Sequence, residues 1–309
     1  MNIITLTLSP AIDIHCHAEG FYAERENFAK ISSRDAGGKG INISRALLSY
    51  GVKSTAIVAV GTENGDSFLS LLSQDGIDCR AIWTEGAIRE NITVHAKKAK
   101  ETRLSFEGFL GDFKLLEKVE KTLNEITASG DIVTLTGSIP SGISIEDVKA
   151  LVLKMKQKDV FVVIDSRSFS ASDIVECAPF LIKPNEEEII AYSGKEISTV
   201  SEAAEVASKL AENGIKNVMI SLGSGGAVLA CGGQVFFAKA PKLDVLSTIG
   251  AGDSSIAGFL VAYKEGKSAE ECLKTAVAFG SAACMTEGTK PPQKDTIEQL
   301  IGKIIIEKS

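Results

Sequence analysis

A carboxylate stands directly behind two glycines in STIGAGDSSIAGF, residues 247 to 259, where Gly250 and Gly252 precede Asp253 at the mouth of an apolar run of helical character. A Gly-rich turn with an aspartate helix cap explains that arrangement structurally. Whether Asp253 does more than cap the helix depends on the other loops of the chain. In DAGGKGINISR, residues 35 to 45, Gly37, Gly38 and Gly40 surround Lys39 just before a helix, so close backbone approach, the helix dipole and a lysine charge would act together on an anion or sugar. TGSIPSG, residues 136 to 142, holds Ser138 in a proline-fixed turn. KPNEEE, residues 183 to 188, sets Asn185 and Glu188 one helical turn apart, a spacing that could hold Mg²⁺ through waters or simply cap the helix. SLGSGGAVL, residues 221 to 229, reads as a tight hairpin or a nucleotide-contacting loop.

Other patterns carry less. Gly266, Lys267 and Ser268 spell the end of a phosphate loop, but Val261 stands where the leading glycine belongs. GSGG at 223 to 226 lacks the third glycine of a dinucleotide fingerprint. His15 and His17 share a strand face, yet two imidazoles with no third ligand nearby read as surface or packing residues, and His95 adds no stronger signal. The six cysteines include no CxxC pair, which argues against a zinc site or disulfide framework and for free thiols in a reducing cytoplasm. A net charge of −7 without a basic stripe argues against nucleic acid and anionic membranes as partners. No apolar stretch approaches the ~18 residues of a membrane span.

The elements that must position these loops are legible as β-branched runs alternating with helix-period stretches. Strands are expected at 3–8, 55–60, 131–136, 160–165, 180–184 and 217–222. Helices are expected after Gly40, Asp112 and Ser144, over SEAAEVASKLAENG up to Gly214, and twice after Asp253. That rhythm implies a mainly parallel sheet with helices on both faces, where ligands bind beyond the carboxyl ends of the strands. Residues 11–34 and 86–107 break it: they are more polar, carry extended pieces such as ITVHAKKA (92–99), lack a long helix, and are expected to pair as a small β lid. No linker divides the 309 residues, so one domain is expected.

GGKGIN, TGSIPSG, KPNEEE, SLGSGG and STIGAGDS, in that order and spacing, resemble the ribokinase-like PfkB carbohydrate kinases over nearly the whole chain. TLTLSPAID at the start and RENIT at 89 to 93 are most similar to the branch holding 1-phosphofructokinase and tagatose-6-phosphate kinase. The resemblance implies a three-layer α/β/α ribokinase-like fold with a β lid, and transfer of the γ-phosphoryl group of ATP to a hydroxyl of a ketohexose phosphate. It implies Asp253 as base, with the N–H groups of Gly250, Ala251 and Gly252 as the anion hole. Lys183, Asn185, Ser221, Gly223 and Gly226 fall by the same likeness on the ATP side, with Asn185 and Glu188 placing Mg²⁺ through water. Asp13, Gly38, Lys39, Asn42, Arg89 and Ser138 fall on the acceptor side, Arg89 as the phosphate-binding arginine.

Three positions depart from that pattern. Thr93 stands where close relatives carry lysine, Phe28 where they carry a basic residue, and Arg167 where they carry a small one. Lys30, Arg25 or Arg103 could replace the missing cations. Two rival readings therefore stand beside the phosphosugar kinase: a kinase for an unphosphorylated sugar or nucleoside, and an inactive relative that senses sugar or nucleotide. An exposed edge of the lid sheet could be covered by a second copy, giving a homodimer, or by the chain's own loops.

Overall fold

The computed structural model describes residues 1–97 and 101–308. Residues 98–100, within the expected lid segment 86–107 and overlapping the end of ITVHAKKA, lie outside the described residues.

The chain opens with β1 (Ile3–Thr7) and then forms β2 (Ala11–Ala18), β3 (Ala29–Gly37) and α1 (Lys39–Ser49). There follow β4 (Thr55–Gly61), α2 (Gly65–Ser73), β5 (Asp78–Thr84), β6 (Arg89–Ala96) and β7 (Thr102–Leu104). Strands and helices then alternate through α3 (Phe113–Ile126), β8 (Ile132–Thr136), α4 (Ile145–Gln157), β9 (Phe161–Asp165), α5 (Ala171–Cys177) and β10 (Leu181–Ile182). Next come α6 (Glu186–Ser193), α7 (Val200–Glu212), β11 (Asn217–Ser221), β12 (Ala227–Cys231) and β13 (Gln234–Ala238). The chain ends with α8 (Ala251–Lys264), α9 (Ala269–Ala283), α10 (Lys294–Ile301) and β14 (Ile306–Lys308).

Ten of these strands make one sheet in the order β14-β13-β12-β11-β10-β9-β8-β1-β4-β5. It is parallel from β5 to β11 and antiparallel from β11 to β14. Side-chain alternation splits its core into two layers. Ile4, Leu6, Val162 and Ile164 pack toward α2 through α7, whereas Ile3 and Val163 pack toward α1, α8, α9 and α10. The result is the three-layer α/β/α architecture. β10 spans only two residues of the expected 180–184 strand because Pro184 has no N–H for the ladder and Asn185 starts the next helix.

Strand β1 lies between β8 and β4, so the chain winds outward from it in both directions and leaves a crevice at the carboxyl ends of β1 and β8. Helices α8 and α9 pack closely on one face of the sheet. A Cβ on Gly258 of α8 would lie 2.7 Å from the carbonyl oxygen of Thr275 in α9, so the two helices meet at backbone contact, which a larger residue would prevent. The remaining strands form a separate four-stranded sheet, β3-β2-β6-β7. Its register puts Asp13 opposite Asn91, His15 opposite Thr93, and Thr93 opposite Arg103, all on one face. Ile12, Ile14 and Cys16 point the other way, into the core.

Candidate active site

The loops after β1, β8, β9, β10 and β11 open at one end of the parallel sheet, and the first turns of α1 and α8 meet there. Lys39 is the first residue of α1, a position where the helix dipole disfavours a cation. It is held there by Asp165, the last residue of β9, whose Oδ2 accepts a hydrogen bond from Lys39 Nζ at 2.8 Å. Burial alone would raise the Asp165 carboxyl, but Lys183 and Lys39 outweigh it and hold the group below its ordinary value. Burial likewise works against the Lys39 charge, and Asp165 and Asp253 more than restore it, leaving the ammonium above its ordinary value.

Asp253 sits in the first turn of α8 and is buried. Its Oδ2 accepts from Asn42 Nδ2 of α1 at 2.8 Å. Burial is the largest influence on this carboxyl and lifts it to about 6, with Asp165 adding to the rise and Lys39, Asn42 and Lys183 opposing it. Gly250 ahead of it adopts φ +78°, left-handed backbone that glycine accepts readily, and no side chain caps the helix. Ala251 N donates to the carbonyl of Thr248 at 3.3 Å, and with no side chain on the helix start the N–H groups of Gly252 and Asp253 are open to water or an anion. Lys183 is buried against that turn: a Cβ added to Gly252 would meet its Nζ at 2.9 Å.

Asn185 and Glu188 form a reciprocal capping box on α6, with Glu188 N donating to Asn185 Oδ1 at 2.8 Å and Asn185 N to Glu188 Oε2 at 3.1 Å. The other oxygen of Glu188 accepts from Arg167 Nε at 3.2 Å. Arg167 is largely exposed, so that pair is weak and exchangeable. An amide and a carboxylate at this spacing fit Mg²⁺ held through water. Ser221 approaches the carbonyl of Pro184 through both its N–H and its hydroxyl, at 3.0 and 3.4 Å. A 3₁₀ turn over Gly223–Gly225, followed by Gly226, closes the β11–β12 hairpin. Ser138 is exposed in the loop after β8.

The second sheet supplies the opposite wall. Asp13 Oδ1 accepts from Asn91 Nδ2 at 2.9 Å and from Arg103 Nη2 at 3.0 Å. Arg89 donates to the carbonyls of Ser9 and Pro10, each at 3.3 Å. Burial lowers its guanidinium from the ordinary value, with Asp13 opposing and Arg103 adding to the fall. Gly38 caps α1 beside Thr7 at the end of β1. Of the cations that could stand in at positions 28 and 93, Arg103 reaches Asp13, Arg25 stacks on Tyr22 at 3.6 Å, and Lys30 lies opposite His17.

Two residues gain importance that their sequence context understated. Asp165 closes the strand VFVVID, and its place at a carboxyl end of a parallel strand was the signal for it. His95 corrects the expectation that His15 and His17 lack a third neighbour: its Nε2 is 3.2 Å from His15 Nδ1 and its ring centroid 5.4 Å from that of His17. Among the described residues no group of histidine, cysteine or acidic side chains has the geometry to hold a metal ion directly. A cavity of about 560 Å³ between α5, α6 and α7, lined by Val175, Ile197 and Val206, contains none of these residues.

Comparison with known proteins agrees with this fold. Residues 7–296 match the model of the pfkB family carbohydrate kinases. The 1-phosphofructokinase of Bacillus subtilis is 33% identical over 307 residues, covering 98% of both chains. Phosphofructokinase-2 from Escherichia coli, solved in complex with substrates and products, superposes with a TM-score of 0.90 at 27% identity, over 98% of this chain and 99% of that one. The tetrameric inhibited form of the same Escherichia coli protein matches with a TM-score of 0.89 at 26% identity, over 98% of each chain.

Proposed function

Because the chain belongs to the pfkB family carbohydrate kinases and is a phosphosugar kinase, we propose that it transfers the γ-phosphoryl group of ATP to the 6-hydroxyl of fructose 1-phosphate. The observation that carries this reading is a buried carboxyl lifted to about 6, Asp253, set at an uncapped helix start between two lysines. The name of the Bacillus subtilis relative favours fructose 1-phosphate over tagatose 6-phosphate as acceptor.

In the step proposed, the acceptor oxygen bonds to the γ-phosphorus as the bond from that phosphorus to the β-phosphate oxygen breaks, and the electron pair leaves with ADP. Asp253 takes the hydroxyl proton, and Asn42 holds the receiving carboxyl in place. The first-turn N–H groups of α8, from Gly250 through Gly252, take up charge on the migrating phosphoryl group, and Lys183 and Lys39 add fixed positive charge. Ser221, Gly223 and Gly226 border the nucleotide. Asp13, Gly38 and Ser138 meet the sugar, and Arg89 its phosphate. Asn185 and Glu188 would hold Mg²⁺ through water, and the ion when bound neutralises phosphate charge.

The sheet β3-β2-β6-β7 acts in this reading as the lid of one kinase domain that excludes water from the transfer. Exposed Ile31 and Leu104 on this sheet, with Phe28 just ahead of β3, favour a contact between two copies of the chain. The six cysteines are all free, which favours a reducing compartment such as the cytoplasm.

The test is ADP release with fructose 1-phosphate, tagatose 6-phosphate, fructose 6-phosphate, fructose and a nucleoside as acceptors. Fructose 1-phosphate is expected to lead in kcat/KM by at least roughly tenfold, a difference of about 1.4 kcal/mol in transition-state binding. A lead for fructose or the nucleoside would refute the phosphorylated acceptor. ADP release with none of them would place the chain among inactive sensors.

A further inference from the structure

The lid face around Asp13 gathers two guanidiniums, Arg89 and Arg103, with two carboxylates, Asp13 and Asp35, which lie opposite each other in the β2–β3 register. Arg89 and Arg103 both lie close enough to influence each other, and Asp13 stands between them. Arg89 is committed to two backbone carbonyls through long bonds of 3.3 Å. Arg103 approaches from the edge strand β7 and holds Asp13 at 3.0 Å through one terminal nitrogen. Its side chain is 42% exposed, against 17% for Asp13, so this pair is screened and readily exchanged.

Cross-strand register accounts for this use of Arg103. Thr93 is buried directly opposite it and supplies no charge, so the guanidinium reaches from the neighbouring strand over a position occupied by a small neutral side chain. Asn91, on the same face, gives its amide N–H to the same Asp13 oxygen, and its own Oδ1 is buried without a partner. Two guanidiniums on one face, one of them held only by an exchangeable pair with Asp13, can turn to a doubly charged anion, because the planar fork of arginine matches phosphate geometry.

We propose that Arg103 is a specificity residue for the acceptor phosphate: in the resting enzyme it occupies Asp13, and the phosphate of the sugar draws it away and frees that carboxylate for the sugar hydroxyls. This rests on the reading that the acceptor is a ketohexose phosphate. A sugar without phosphate meets an Asp13 already engaged. Phosphate recognition and hydroxyl recognition are thereby linked through one side chain.

The experiment compares wild type, Arg103→Gln and Arg103→Lys with fructose 1-phosphate and with fructose, measuring kcat and KM for each acceptor and KM for ATP. Arg103→Gln is expected to raise KM for fructose 1-phosphate roughly 10- to 100-fold, the worth of one charge-assisted hydrogen bond. KM for ATP stays unchanged and KM for fructose stays level or falls. Arg103→Lys, which keeps the charge and disturbs folding least, should recover part of the loss. An equal rise in KM for both acceptors would mean that Arg103 only positions Asp13 and would overturn the proposal. So would an unchanged KM for fructose 1-phosphate in both variants. If wild type prefers phosphorylated acceptors and Arg103→Gln keeps that preference, the role of Arg103 fails while the proposed function stands. If wild type shows no such preference, the proposed acceptor fails and this inference with it.

Discussion

Replacing Asp253 by asparagine should stabilise the protein while removing its activity, and the stabilisation should depend on pH. Asparagine keeps the size of the side chain and an oxygen to accept the Asn42 hydrogen bond, so packing changes little. What changes is the charge. In the fold the carboxyl is raised from 3.8 to about 6, chiefly by burial. A carboxylate raised in the folded state destabilises the fold once ionised: the cost begins as pH climbs past the unfolded value and is complete above the folded one. At about 1.4 kcal/mol per pH unit, that interval costs the wild type about 3 kcal/mol at pH 8 and about half as much at pH 5. Urea unfolding of wild type and Asp253→Asn at both pH values measures it. The variant should be more stable by about 3 kcal/mol at pH 8, with the gap near halved at pH 5. Turnover should fall by roughly two to four powers of ten, the usual worth of a positioned base. No gain at pH 8 would mean that the carboxylate is not strained by burial. A gain equal at both pH values would trace it to packing instead of ionisation, and retained turnover would remove Asp253 as the base.

Lys39→Met removes the cation that most strongly holds Asp253 down, so the acid limb of the kcat/KM profile for ATP, which reports the free enzyme and is expected near pH 6 in the wild type, should move to higher pH by on the order of one unit; a limb that stays in place would show that Asp253 does not set it. Gly37→Ala would put a methyl 2.1 Å from Asp13 Oδ2 and 3.2 Å from the carbonyl oxygen of Ala11, so the carboxylate must move. KM for the acceptor should then rise roughly tenfold, one hydrogen bond to a charged group, with KM for ATP constant, and initial-rate kinetics in both substrates separate the two.

The main sheet was legible because its strands are fully buried and read as continuous β-branched runs, as IITLT in β1 and IVTLT in β8 do. Helices with strong stop or cap residues were equally plain: Asp112 caps α3, Ser144 caps α4, and Gly214 follows α7. Short helices such as α5 and α10 were not, since seven or eight residues give too few turns for a periodic signal. The glycine loops around Lys39 and Asp253 announced themselves locally. The link of Lys39 to Asp165 spans 126 residues and that of Arg103 to Asp13 spans 90, and neither leaves a mark on local spacing. The three histidines meet for the same reason: parallel pairing of β2 with β6 sets His17 opposite His95 across a long stretch of chain.

Two buried aspartates share the same pair of lysines yet are pushed in opposite directions, and this asymmetry supports the role proposed for Asp253. Asp165 lies below the ordinary value, since Lys183 and Lys39 together overcome its burial and Lys39 also donates to it directly. It stays ionised across the physiological range and anchors Lys39 at the start of a helix that would otherwise repel it. Asp253 receives a neutral amide from Asn42 in place of a lysine, feels Asp165 as a like charge, and rises to about 6. A base with that value is largely unprotonated near neutral pH and still strong enough to accept a hydroxyl proton. Divergent environments for two neighbouring carboxyls separate a structural anion from a proton acceptor. Phosphates of ATP arriving beside Asp253 would act on it as Asp165 already does, raising it further toward neutrality. In the proposed step, the same negative charge that must be neutralised for transfer therefore strengthens Asp253 as the base.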